Sequence, residues 1–182
     1  MAVRQYAGMD LAARIYRTSH LTGTFTLRSG RVATEYFDKY RFESDPELLR
    51  QIAELAAAAI PPGMDGLAGL ELGGVPLATA LSLLTGLPVY FVRKEAKKYG
   101  TERLCEGGDI EGLRLLVIED VVTTGGQLVL STDDLRTAGA VVTDALCVID
   151  RQSGGIDLLA QSGVTLKALF TMGELEAAAA TS

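Results

Sequence analysis

From Gly66 onward the chain alternates short apolar runs with segments whose apolar residues recur at helical spacing. Gly66 to Leu72, Leu87 to Val92, Leu113 to Val122, Val141 to Ile149 and Val164 to Phe170 read as strands. Val75 to Thr85, Gly126 to Ala138, Ile156 to Gln161 and Gly173 to Ala180 read as helices, with Gly73-Gly74 and Gly139 as punctuation. The strands are continuously apolar, which predicts a parallel sheet covered on both faces. Upstream the pattern differs. Asp10 to Tyr16 reads as a helix, Thr22 to Gly30 as an alternating, glycine-broken strand region, and Tyr36-Phe37 as a strand ending near Asp38. Ser44 or Asp45 caps a helix with Pro46 in its first turn. That helix runs to about Ile60, where Pro61-Pro62-Gly63 stops it. The pattern divides the chain into a small N-terminal region over 1–45 and a main unit over 46–182.

Open parallel sheets bind ligands beyond the carboxyl ends of their strands, so the residues just after each strand come first. Leu115-Leu-Val-Ile-Glu-Asp-Val-Val-Thr-Thr-Gly-Gly126 is the sharpest motif. A buried strand delivers Glu119 and Asp120, and a turn of small residues opens a helix. Unpaired N–H groups and the helix dipole make such a turn an anion site, and large side chains would keep the backbone away from the anion. The two carboxylates suit ribose hydroxyls or the water shell of a metal. Together the parts describe a site for a phosphorylated sugar. The alternative is an ordinary strand–turn–helix junction with solvated acids. A Walker loop is excluded, because Gly-Lys-Ser/Thr is missing, and so is the Gly-x-Gly-x-x-Gly dinucleotide turn.

Charge sharpens this picture. The formal net charge is −6, which argues against a nucleic-acid binder. Against that background Arg93 to Lys98 holds four cations and one anion. The cluster opens the connection from Arg93 to Gly112, which lacks an apolar helical stripe; connections of this length are usually functional loops or lids. A solvated basic face is the alternative. Two cysteines, Cys105 and Cys147, are too few for a disulfide framework, and with His20 as the sole histidine a zinc site is not expected. No apolar run reaches the ~18 residues of a membrane span, and the opening residues lack a signal-peptide core. A cytoplasmic protein without membrane contact is expected.

Val117 to Gly126 resembles the phosphoribosyl pyrophosphate (PRPP) motif of type I phosphoribosyltransferases. That resemblance implies an α/β fold of this type, a parallel twisted sheet flanked by helices with a small N-terminal hood that helps bind the base. It implies that Glu119 and Asp120 meet the ribose, and that Val121, Val122, Thr123, Thr124, Gly125 and Gly126 cradle the 5′-phosphate. Phe91 to Gly100 is similar to the Arg-Lys-Glu-x-Lys-x-x-Gly loop of orotate phosphoribosyltransferases, and Leu104-Cys-Glu-Gly107 to its continuation. Arg93, Lys94, Lys97 and Lys98 are then catalytic candidates beside Asp120. Cations and Mg²⁺ would stabilise the charge that builds on departing pyrophosphate, and a closing loop would exclude water. In that family loop cations reach the neighbouring subunit, implying a homodimer with shared active sites. Tyr99 stands where many members have histidine; with an ordinary pKa of ~10 it is a poor proton donor at neutrality. Orotate with N1 already deprotonated needs no protein base.

Phe25-Thr-Leu-Arg-Ser-Gly30 resembles the family's Phe-x-Leu-Lys-Ser-Gly element, with Arg28 in place of lysine. Tyr36 and Phe37 match an aromatic pair on the pyrimidine ring, though core packing alone would explain them. Asp150-Arg-Gln-Ser-Gly-Gly155 matches an element that places Arg151 against orotate, where a planar fork suits a carboxylate; Thr123 adds a hydroxyl. An ion pair with Asp150 is the other reading of Arg151. Glu71 to Pro76 corresponds to the pyrophosphate loop, with Gly73 where some members have lysine and Gly74 beside it. No direct protein ligand to the metal is expected: PRPP holds Mg²⁺, with Glu119 and Asp120 acting through water. The implied reaction joins orotate and PRPP to give orotidine 5′-monophosphate and pyrophosphate, in pyrimidine biosynthesis. A separate orotidine monophosphate decarboxylase is a candidate partner. Two other functions stay open: transfer to another nucleobase, and a non-catalytic PRPP-sensing regulator.

Overall fold

A computed structural model of the chain describes residues 2–26, 30–94 and 104–181, with 2–9 as backbone alone. In chain order the elements are α1 (Ala2–Ser19), β1 (His20–Thr26), β2 (Val32–Phe37), α2 (Tyr40–Ser44), α3 (Pro46–Ala57), β3 (Gly66–Leu70), α4 (Gly74–Thr85), β4 (Val89–Val92), β5 (Cys105–Glu106), β6 (Arg114–Val122), α5 (Gly126–Thr137), β7 (Val141–Asp150), α6 (Gly155–Gln161), β8 (Thr165–Thr171) and α7 (Met172–Thr181). The described strands form a central sheet in the order β5-β4-β3-β6-β7-β8 and a separate antiparallel β1-β2 ribbon. Every pairing in the central sheet is parallel except β4-β5.

The apolar runs are continuous because successive strand side chains point to opposite faces and both faces are covered. Leu116 and Ile118 of β6 face a core with Ile15, Phe42, Leu48, Ile52, Leu77 and Leu81. Leu115 and Val117 face the other side, against Leu128, Leu135 and Leu159. The N-terminal helix therefore shares the first core with α3, α4 and α7 rather than standing apart.

Four details differ from expectation. The first helix extends well beyond Asp10 to Tyr16 at both ends. The helix after Pro46 ends at Ala57, short of Ile60; a residue before proline is driven out of the helical region, and Ile60 precedes Pro61. Its cap is Asp45, whose side chain accepts from the Glu47 and Leu48 amides at 2.9 and 3.0 Å. The connection after Arg93 is not wholly without structure, since Cys105–Glu106 adds an edge strand to β4. Helix α2 is too short for periodicity to reveal. No described helix is long and apolar enough to cross a membrane.

Because β3, β4, β6 and β7 run parallel, Glu71–Gly74, Arg93–Lys94, Glu119–Gly126 and Arg151 emerge on one edge of the sheet. Glycine brings α4 close to that edge. A Cβ on Gly74 would lie 2.1 Å from the Ile118 carbonyl oxygen, and one on Gly69 would meet Ala78 Cβ at 2.9 Å. Backbone cannot retreat cheaply, so Gly74→Ala is expected to destabilise the fold by about 1–3 kcal/mol. Urea unfolding measures this; an unshifted midpoint would contradict the close approach of α4 to β6.

Candidate active site

Two glycine pairs shape the site's backbone. Gly125 caps α5 at φ 79° and Gly154 caps α6 at φ 89°, left-handed conformations that favour glycine. The two turns touch: a Cβ on Gly125 would meet the Gly155 backbone at 3.1 Å, and one on Gly155 would reach Val122 Cγ1 at 2.6 Å and the Thr123 carbonyl at 2.8 Å. The Arg151 amide donates to the Val122 carbonyl at 2.9 Å, and the Gln152 amide to Asp150 Oδ1 at 2.9 Å. Asp150 is thus occupied as a buried turn former, and Arg151 has no carboxylate partner among the described residues.

A cavity of about 420 Å³ opens over these turns. It is lined by Val121, Val122, Thr123, Thr124, Gly125 and Gly126 from the turn, Glu119 from β6, Arg151 after β7, Lys94 after β4 and Phe37 from β2. Most of the residues nominated from sequence are therefore brought together. Lys94 is set at the rim by its amide, which donates to Glu71 Oε2 at 3.2 Å. Other nominated residues lie elsewhere. Tyr36 is 45% exposed and packs on Phe25 outside the cavity, with ring centroids 5.5 Å apart. Neighbours on a strand point to opposite faces, so one ring of the pair faces inward. Arg93 Nε lies 3.4 Å from Glu106 Oε1, tied to the edge strand. Gly73 and Gly74 are buried behind the wall. Arg28, Lys97 and Lys98, with Tyr99, lie outside the described residues.

Asp120 sits beneath the cavity and does not line it. Its side chain is 1% exposed, and a Cβ on Gly73 would fall 1.7 Å from Asp120 Oδ2. The carboxylate fills the space that a Gly73 side chain would take. Lys39 Nζ reaches it at 2.9 Å from Oδ1 and 2.7 Å from Oδ2, and the Val121 amide donates to Oδ1 at 2.6 Å.

Two further carboxyls adjoin this ion pair. Burial, then a hydrogen bond to Asp120 and its negative charge, push the Glu43 carboxyl up to about 9. The same causes hold Glu119 well above the ordinary carboxylate range. For Asp120 burial acts upward, but hydrogen bonds from Glu119, Glu43 and Lys39 outweigh it and keep the carboxyl low. Lys39 is raised: burial alone would lower it, and the contact with Asp120 prevails. Glu43 and Glu119 are thus both pushed toward their neutral forms beside the Lys39–Asp120 pair, the direction that burial and a neighbouring negative charge favour.

Residues 41–167 match the family model described as phosphoribosyl transferase domain. The orotate phosphoribosyltransferase of Nocardioides sp. is 53% identical over 92% of this chain and 94% of its own length. The chain belongs to the orotate phosphoribosyltransferase family. The crystal structure of the orotate phosphoribosyltransferase of Mycobacterium tuberculosis H37Rv in complex with inorganic phosphate is 28% identical, superposes with a TM-score of 0.82, and covers 93% of this chain and 98% of that one. The UMP synthase of Leishmania donovani, 28% identical with a TM-score of 0.80, is matched over 96% of this chain and 38% of that longer one.

For an orotate phosphoribosyltransferase, five lining or supporting residues escaped the motif reading: Lys39, Tyr40, Glu43, Gln127 and Leu128. Lys39 follows Tyr36-Phe37-Asp38 directly, and Glu43 lies four residues on, the spacing of one helical turn. The proton on Glu43 gives a test. Between the ordinary carboxyl value of 4.5 and about 9, native Glu43 keeps a proton that the unfolded chain has released, so stability falls as pH rises through that window. Glu43→Gln removes this linkage. Urea unfolding at a series of pH values is expected to show a shallower loss in the variant, by at most about 1.4 kcal/mol per pH unit. Parallel curves would contradict a protonated Glu43.

Proposed function

We propose that this enzyme joins orotate to PRPP, giving orotidine 5′-monophosphate and pyrophosphate, with the cavity over the Thr123–Gly126 turn as its active site. One observation carries the reading: a glycine-rich turn at a helix start, the Glu119 carboxyl and an arginine with no carboxylate partner among the described residues share one cavity on the carboxyl edge of the sheet. The amides and hydroxyls of Thr123, Thr124, Gly125 and Gly126 take the 5′-phosphate, at the start of α5 where the helix dipole favours an anion. Glu119, which lines the cavity, faces the ribose hydroxyls, with Asp120 behind it. Arg151 and Thr123 take orotate, and Phe37 packs beside its ring. N1 of the orotate dianion attacks the anomeric carbon, the carbon–oxygen bond to the diphosphate breaks, and both electrons of that bond leave with pyrophosphate. No protein base is required.

Among the described residues no group of three or more His, Cys, Asp or Glu side chains is arranged to hold a metal ion. Mg²⁺ keeps several waters and binds mainly through substrate phosphates. Glu119 is the carboxyl placed to hold one of those waters. When bound, the ion would offset negative charge on the diphosphate. Arg93 and Lys94, with Lys97 and Lys98 beyond them, supply the remaining positive charge, and the family resemblance of this stretch supports a homodimer that shares its loops. The reading places the reaction in cytoplasmic pyrimidine synthesis, beside a separate orotidine monophosphate decarboxylase.

The decisive assay follows orotate absorbance with PRPP and Mg²⁺, with hypoxanthine run in parallel. Orotate is consumed and hypoxanthine is not; the reverse would overturn the reading. Arg151→Ala is expected to raise KM for orotate by roughly ten- to a hundredfold, the scale of a lost charged hydrogen bond, while KM for PRPP changes much less. Equal changes in both would remove Arg151 from the base site. Lys97→Ala is expected to cut kcat sharply while PRPP still binds, and unchanged turnover would remove that lysine from the mechanism.

A further inference from the structure

Lys39 belongs to no motif in the sequence, yet it is the described lysine that joins the cavity wall to a buried carboxylate. Its position on the sheet edge is defined. The order β4-β3-β6-β7 puts Lys94 on one flank, the Glu71–Gly74 turn next, the phosphate turn after it, and Arg151 on the far flank. Asp120 Oδ2 occupies the side-chain space of Gly73, so its carboxylate leans from β6 toward the β3 turn. Lys39, bound to both carboxylate oxygens, stands on that same side. A substrate with its 5′-phosphate on Thr123–Gly126 and its ribose over Glu119 has one strongly anionic group left. That group faces the β3 side, where Gly73 itself carries no charge.

The ammonium is equipped to meet it. It has three N–H donors, and Asp120 engages at most two. The side chain is 32% exposed, and Lys39 lines the cavity. Asp120 and the face of the Tyr40 ring, 5.3 Å from Nζ, hold the charge in place before any substrate arrives. A cation fixed in advance loses little freedom on binding, which is the advantage of preorganisation.

We propose that Lys39 is a further substrate-binding residue, its ammonium bridging the Asp120 carboxylate and the diphosphate of PRPP. This assignment rests on the phosphoribosyl-transfer reading above and adds to it a role for the segment between β2 and α3. Asp120 then serves the diphosphate through the lysine as well as standing behind the ribose.

Calorimetric titration of the parent, Lys39→Met and Lys39→Arg with magnesium pyrophosphate, ribose 5-phosphate and orotate tests it. Lys39→Met is expected to weaken pyrophosphate binding by roughly tenfold or more, with ribose 5-phosphate and orotate within about twofold of the parent, the limit of a lost interaction. Lys39→Arg retains most of the pyrophosphate affinity. Equal weakening toward all three ligands, or none toward pyrophosphate, overturns the assignment. Removing the lysine leaves a buried carboxylate unpaired, so the Met variant stands to lose its fold. The parent crystallised with magnesium pyrophosphate then decides: Lys39 Nζ within hydrogen-bonding distance of a diphosphate oxygen supports the bridge, and diphosphate bound away from it overturns it. A parent that turns over orotate while failing these tests loses the lysine assignment alone. A parent inert toward orotate and PRPP loses the reaction, and the assignment with it.

Discussion

A single buried ion pair organises this site. Asp120 ends almost wholly out of solvent, and an isolated carboxylate there would be untenable. Lys39 meets both of its oxygens, the Val121 amide adds a further donor, and burial and the Asp120 charge push the two neighbouring carboxyls toward their neutral forms. The consequences spread outward. With the carboxylate in this position, a side chain at residue 73 would collide with it. The β3 turn can then lie flush against β6. The N-terminal segment is bound to the catalytic edge by a charge pair as well as by the apolar contacts of Phe42 and Ile15.

The backbone frame rests on a second constraint, the contact between the turns after β6 and β7. A side chain on Gly125 would press on the Gly155 backbone, and one on Gly155 would strike Val122 and the Thr123 carbonyl, so the turn after β6 and the arginine-bearing turn form one packed unit. Their cavity therefore has a division that follows the sheet order. Backbone donors lie at its centre, Arg151 on the β7 flank, and lysines on the β3 and β4 flank. In the proposed reading the phosphate groups at both ends of a ribose meet that spacing of charge, and a planar carboxylated base meets the guanidinium.

The fold was legible because its strands are buried on both faces. Runs such as Leu115 to Val122 have no polar alternation to confuse, and glycines and prolines mark their ends. The phosphate turn was legible because its chemistry is local: two acids, two hydroxyls and two glycines within eight residues. The rest depends on contacts distant in sequence. Lys39 touches Asp120 across 81 positions, and a lone lysine after an aromatic pair carries no period or spacing. Glu43 resembles any solvated acid on a helix until Asp120 is known to lie beside it. Tyr36 and Phe37 were adjacent in the motif, but the strand's own alternation separates them, which the sequence implied and the motif concealed.

The core from β3 to β8 builds its candidate anion seat from backbone geometry, with amides and glycines at the start of α5. In the proposed reading the charge that meets the diphosphate comes instead from side chains on peripheral segments that line the cavity: Lys39 from the link between β2 and α2, and Lys94 from the connection after β4. A glycine beside the acidic strand and a lysine reaching in from the N-terminal segment are then two halves of one solution. The carboxylate that excludes a side chain at position 73 is the same group that holds the ammonium of Lys39 within reach of the substrate.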